Sequence, residues 1–156
     1  MFAYLVHHGD ALGPDVDPQR PLSVAGLAQV NNLANRVAAR DVRPSIIWHS
    51  GKLRARQTAA AFWRACNPLA EFSASRWMQP GDPPHIGDLL LAEDRDVMLV
   101  GHLPHLDRLL DYLESPAVQP FPSHGCVALE RLESGWVERW RLTGDLVANR
   151  ASRPRI

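Results

Sequence analysis

Three short apolar runs each break directly into a polar, histidine-bearing cluster. They are FAYLV at residues 2–6, SIIW at 45–48 and VMLV at 97–100, and the clusters are HHGD, HSGK and GHLPH. A run of four or five residues with little polar alternation fits a strand buried on both faces, the kind found in parallel sheets covered by helices. Parallel strands need crossover connections, and the intervening segments supply helical patterns. Ser23 reads as an N-cap, and Leu27, Val30, Ala34 and Val37 recur at helical spacing up to about residue 40. A second helix is expected over 53–66, a short one over 86–92, and a fourth from Pro104 to about residue 113. Residues 72–77 read as a short strand.

After the long connection SPAVQPFPSHG, residues 126–132 and 136–142 flank Glu-Ser-Gly as a hairpin, and the chain beyond Asp145 is polar and expected to be loose. The expected fold class is therefore α/β. It is a three-layer α/β/α sandwich on a mixed, mostly parallel sheet, with an antiparallel hairpin added late. At 156 residues the whole chain is expected to form one domain.

The carboxyl ends of parallel strands line one rim of an open sheet, and ligands bind there. The three clusters should therefore meet in one site. Its residues are His7 and His8, His102, and the cations Arg54, Lys52 and Arg20. The following helices should also aim backbone N–H groups at the rim. Arginine forks and helix N-termini suit a phosphate. A neutral histidine can attack phosphorus through one ring nitrogen while a backbone carbonyl holds the other, and a second histidine can steady the transferring group. No metal or cofactor is required.

The bulk of the sequence narrows the alternatives. With 17 basic and 17 acidic residues, no overall field recruits nucleic acid or a membrane surface. Cys66 and Cys126 lie far apart without a CxxC spacing and read as two free thiols. The N-terminal apolar run ends at His7, too early for a signal peptide or a membrane span, which points to a cytoplasmic protein. His49, Lys52 and His105 are expected at the surface.

HHGDA, RPLSVAG, HSGKLRARQTA and VGHLP, in that order, resemble the landmarks of the histidine phosphatase superfamily. The resemblance is to its small bacterial phosphohistidine phosphatases of the SixA type, with their RHGDA or RHGEA opening, RPLT helix start, SP-x-x-RA-x-QT segment and SHLP or GHLP turn. It implies a phosphoglycerate mutase-like fold and a phosphohistidine intermediate on His8. Arg54 would clamp phosphate, and His102 would be the second active-site histidine. Arg20 would stand near the pocket mouth as a substrate contact, and Asp10 matches the acidic residue after the glycine. The implied substrate is a phosphorylated protein, phosphohistidine above all, or a small phosphorylated molecule.

Two positions depart from the pattern. Gly51 replaces a proline, and glycine also permits a tight turn. His7 replaces an arginine, exchanging a permanent charge and planar fork for an imidazole that is largely neutral above a pKa of about 6.5. Asp82 and His85, in WMQPGDPPH, are the candidates for a general acid. His124, in the proline-rich connection, is a further candidate for the pocket wall. Three readings stay open. One is a metal-independent phosphatase acting through His8. Another is a degenerate member that binds phosphate, or a phosphorylated partner, with little turnover because of His7. The third is a metal-dependent hydrolase with the histidines of HLPH as ligands, a spacing that sets no known ligand face.

Overall fold

A computed structural model describes residues 1–144, so the polar tail from Asp145 onward lies outside the described residues. Its elements follow the chain as β1 (Phe2–His7), α1 (Val24–Ala38), β2 (Ile46–His49), α2 (Leu53–Cys66), β3 (Glu71–Ala74), α3 (Ile86–Leu91), β4 (Val97–Gly101), α4 (His105–Glu114), β5 (Cys126–Leu132) and β6 (Gly135–Leu142). Six strands form one sheet in the order β3-β2-β4-β1-β5-β6. The β2–β3, β2–β4 and β1–β4 pairs are parallel, while β1–β5 and β5–β6 are antiparallel. The fold is the expected α/β sandwich.

Both faces of the central strands are covered, which explains their uninterrupted apolar runs. On β1 the side chains alternate. Tyr4 and Val6 join Ile47, Met98 and Val100 beneath the α1 and α2 residues Val30, Leu33, Val37 and Phe62. Ala3 and Leu5 join Ile46, Val97 and Leu99 against Leu90 of α3 and Leu106, Leu109 and Leu110 of α4. Full burial of each such aliphatic side chain stabilises the fold by roughly 1.5–3 kcal/mol before conformational entropy is charged against it. Cys66 and Cys126 are both buried and free.

Ser23 caps α1 as expected, its side chain accepting from the Gly26 amide at 2.9 Å. The buried face of α1 differs by one position, however. It runs through Gly26, Val30, Leu33, Ala34 and Val37, while Leu27 is 43% exposed. The cause is the close approach of the first loop, since a Cβ on Gly26 would stand 2.0 Å from the Asp10 carbonyl oxygen. The core position at the start of the helix therefore belongs to a residue without a side chain. Gly51, at φ +91°, makes the left-handed turn between β2 and α2 that a proline could not make.

Register positions the site. His7 lies opposite Gly101, and His49 opposite Val100, so β1, β2 and β4 end within one rung of each other. Running the other way, β5 begins with Cys126 opposite Val6, which brings the loop before β5 onto the same rim.

Candidate active site

Four imidazoles cluster at this rim. The ring centroids of His8 and His102 are 5.0 Å apart, and those of His7 and His8 4.5 Å. His124, from the loop before β5, stacks on His7 at 4.8 Å with only 10° between the planes. Backbone bonds continue the sheet into the site. The His8 amide donates to the Gly101 carbonyl, and the His7 amide to the Gly125 carbonyl, both at 3.0 Å. His7 and His102 are buried, at 8% and 1% exposure, whereas His8 and His124 are half-buried.

Hydrogen bonds to the backbone determine the tautomers. His8 Nδ1 lies 2.7 Å from the Gly9 carbonyl, which can only accept, so Nδ1 carries the proton and Nε2 keeps a lone pair. His124 Nδ1 likewise donates to the His8 carbonyl at 2.7 Å. His7 is reversed, because its Nδ1 accepts the His124 amide at 2.7 Å and leaves the proton of the neutral ring on Nε2. Burial, reinforced by the neighbouring histidines and Arg54, lowers the pKa of His7 to about 2 and that of His102 to about 3. Burial also lowers His8 to about 4, against the upward pull of its bond to Gly9. These three rings are therefore neutral at physiological pH. For His7 this corrects the sequence-based picture, in which its charge fades only above about pH 6.5. Buried against three other rings, it is uncharged well below that.

Around the rings stand donors that the protein itself does not satisfy. Arg54, in the first turn of α2, has a buried Nε with no hydrogen-bond partner among the described residues, and burial followed by Arg20 lowers its pKa. The N-termini of α2 and α4 have no side-chain cap, although in α4 the Leu106 amide donates to the His102 carbonyl at 2.9 Å. His102 Nδ1 is buried and also without a partner, while its Nε2 pairs with Ser50 Oγ at 2.6 Å. Behind this first layer, Thr58 Oγ1 accepts the Gly9 amide at 3.0 Å and donates to the Arg54 carbonyl at 2.8 Å. It ties the loop that carries His8 to the helix that carries Arg54. Gln79 Nε2 donates to the Ser50 carbonyl at 2.8 Å.

The structure thus brings His7, His8, Arg54 and His102 together. Arg20 stands at the edge, held by a bond from its Nε to the Leu12 carbonyl at 2.9 Å and close enough to act on Arg54 and His8. Asp10 is exposed, and its carboxylate accepts from the Ser23 hydroxyl at 2.8 Å, pinning the first loop to α1. Asp82 accepts the Gln79 amide at 2.8 Å, and exposed His85 lies edge-on to Trp77 at 4.9 Å. Neither hydrogen-bonds to any of the four rings.

Two expected surface residues are buried instead. His49 is 4% exposed, packs on Phe72 and accepts the Gly51 amide, because the last side chain of β2 turns into the sheet face. His105 is fully buried at the start of α4. Lys52 is exposed as expected.

Sequence reasoning missed Ser50 and Thr58, and it left His124 as one candidate among several. Ser50 directly follows a buried strand, and Thr58 is one helical turn beyond Arg54; both signals were present. His124 depends on the direction of β5.

A cation would find its ligands at a different place from the HLPH pair, since one ring nitrogen from each of His7, His8 and His124 lies within 4.8 Å of the others. In its present tautomer, however, His7 Nε2 offers a proton and not a lone pair. As hydrogen-bonded, the cluster suits an anion.

No protein-family model matches the sequence, and no curated protein matches it. Solved structures do. The protein histidine phosphatase SixA complexed with tungstate aligns with a TM-score of 0.80 at 22% identity, over 92% of this chain and 97% of that one. The chain has the histidine phosphatase fold. A SixA protein from Agrobacterium tumefaciens aligns at 26% identity and a TM-score of 0.75, covering 91% of this chain and 97% of its own. A mycobacterial glucosyl-3-phosphoglycerate phosphatase in complex with VO3 aligns at 17% identity and a TM-score of 0.67, over 89% and 98% of the two chains. The six-stranded sheet and both helical layers thus belong to a histidine phosphatase fold that is shared across more than one phosphatase.

Proposed function

We propose that this protein is a metal-independent phosphatase that works through a phosphohistidine on His8. The observation that carries the reading is the tautomer of His8. Its Nδ1–H is held by the Gly9 carbonyl, leaving the Nε2 lone pair in a ring that burial keeps neutral. In the first step that lone pair attacks phosphorus. The bond to the leaving group breaks, and its electron pair departs with that group. In the second step water attacks the phosphorus, the N–P bond breaks, and the pair returns to Nε2 while the water loses a proton. Arg54 and His102 are suited to the phosphoryl oxygens, whose charge they stabilise as it spreads. Two neighbours of this fold hold tungstate and VO3, both phosphate-like oxyanions, which supports an oxyanion seat here.

Asp82 is tied to the Gln79 amide and His85 lies against Trp77, so the favoured substrate is one whose leaving group takes its proton from solvent. Phosphohistidine on a protein meets that condition, and a cytoplasmic signalling protein is the partner we assign. No helix among the described residues is long and apolar enough to cross a membrane. The second reading, a phosphate-binding protein with little turnover, is favoured by one fact: His7 is neutral where the resemblance implies a guanidinium.

Hydrolysis of p-nitrophenyl phosphate and phosphoimidazole, with excess chelator present, separates these readings. Wild-type turnover that survives chelation, and falls at least about a thousandfold in His8→Ala, is the expected result. Equal inertness of both proteins, with phosphate binding retained, selects the binding protein instead.

A further inference from the structure

Beside the histidines, the rim carries an exposed strip that the proposed chemistry does not use. β3 is an edge strand, paired only with β2, and it runs parallel to β2 toward the same rim. The Ser75 amide extends that pairing, donating to the His49 carbonyl at 2.9 Å. From there the chain crosses toward β4. Met78 is fully buried, and its carbonyl oxygen lies 3.8 Å from where a Cβ on Gly101 would stand. The Gln79 side chain then holds the Ser50 carbonyl at 2.8 Å. Residues 75, 78 and 79 are thus anchored next to His102 and its partner Ser50. Trp77, between these anchors, is 45% exposed and takes a left-handed backbone at φ 65°, an outlier for so bulky a side chain. Neither its exposure nor its strained backbone serves the core.

Cations flank this tryptophan with nothing in the protein to neutralise them. Arg76 directly precedes it. Across the turn, a Cβ on Gly51 would stand 3.8 Å from the Ala74 Cβ, and α2 opens there with Lys52 at its N-cap and Arg56 one turn on. Lys52 is close enough to act on His102, and Arg56 on His49. Lys52 and Arg56 repel each other across that turn, at the positive end of a helix whose first turn holds no acidic residue. All three cations are exposed, and among the described residues none has a side-chain hydrogen bond or an ion pair. The neighbouring carboxylates are engaged elsewhere, Glu71 with Arg95 at 2.6 Å and Asp82 with the Gln79 amide at 2.8 Å. In a chain whose 17 basic and 17 acidic residues cancel, this local excess can be matched only from outside the molecule.

We propose that the strip Arg56–Lys52–Arg76–Trp77 docks an acidic segment of the phosphoprotein substrate, next to its phosphohistidine. The cations pair with the segment's carboxylates and set its register. Trp77 and Arg76 line a cleft of about 360 Å³ with Gln79 and Asp82, and an apolar side chain of the segment fits against the indole there. Tryptophan and arginine are the side chains that most often dominate such contacts. The strip is continuous with the pocket through Ser50 and Gln79, so a segment lying on it is the one that carries the phosphoryl group. This rests on the phosphatase reading for its substrate, but on none of the catalytic groups.

The test uses two peptides phosphorylated on a single histidine. They are identical except that the Asp and Glu residues flanking it in one are Asn and Gln in the other. p-Nitrophenyl phosphate serves as a substrate too small to reach the strip. Wild type should show kcat/KM about tenfold higher for the acidic peptide at low salt, a preference that collapses in concentrated sodium chloride. Arg56→Glu combined with Arg76→Glu should abolish the preference. Trp77→Gly, which suits φ 65°, should raise KM for both peptides by about tenfold. All these variants should keep wild-type rates on p-nitrophenyl phosphate. Where that small substrate is hydrolysed, equal wild-type rates on the two peptides overturn the proposal. So does a preference that survives the double charge reversal, a peptide KM unmoved by Trp77→Gly, or an equal loss on all substrates in variants still folded by circular dichroism. His8→Ala, titrated with both peptides by fluorescence anisotropy, separates the two claims. Tighter binding of the acidic peptide to it, with a wild type that hydrolyses nothing, overturns the phosphatase reading alone. Turnover through His8 without peptide preference overturns this one alone.

Discussion

In the proposed anion seat, neutral His7 would offer one donor, its Nε2–H, where an arginine would give a permanent charge and a planar fork. His7→Arg should therefore raise kcat/KM by a similar factor at pH 6 and at pH 8, because neutral His7 lacks charge at both. A gain of about tenfold is the size of one charge-assisted hydrogen bond made in the transition state. The pH profiles of wild type and variant check this, and an unchanged or lower rate at both pH values contradicts it. Ser50 acts through another residue: its hydroxyl orients His102 from 2.6 Å and touches no substrate in this reading. Ser50→Ala should lower kcat by about tenfold with KM little changed. A change confined to KM would mean that Ser50 contacts the substrate itself.

At the scale of elements, the site is made by strand ends. Three parallel strands stop within a rung of each other, and this much was legible, because each apolar run breaks into its polar cluster at the point where the sheet ends. The HSG cluster shows the limit. Its histidine is expected at the surface, yet His49 turns into the sheet face, and the cluster reaches the site through Ser50 as well as the expected Arg54. Residue type marked the segment, but strand pleat decided which residue faces the pocket. His124 was harder still, because it enters only once β5 pairs antiparallel to β1, a long-range choice that no local pattern encodes. Thr58 joins two of these elements, so Thr58→Val leaves the buried Gly9 amide without its acceptor. A loss of about 1–3 kcal/mol in urea unfolding is expected, together with reduced activity, since the His8 loop and α2 are no longer tied. Unchanged stability would show that the amide finds another partner.

For the whole molecule, gathering so many histidines under two helical layers makes stability depend on pH. Burial holds His7, His8, His49, His102 and His105 below the ordinary histidine value of 6.5. The unfolded chain binds protons at these sites as pH falls through 6.5, while the folded chain resists until about pH 4 or lower for His7, His8 and His102. Stability is thus fully present above pH 6.5 and is lost progressively below it. Urea midpoints should fall steadily from pH 7 to pH 5, before ordinary carboxylates begin to titrate; a constant midpoint over that interval contradicts the burial of these rings. In the proposed mechanism the same neutrality leaves His8 its attacking lone pair, so fold and chemistry would share one cause. The most direct test of that chemistry is to react the protein with radiolabelled phosphoramidate, quench it in alkali and map the label by peptide sequencing. The account predicts acid-labile phosphate on His8 that is absent from His8→Ala. Label on His7, His102 or His124 instead, or steady turnover in His8→Ala, would contradict it.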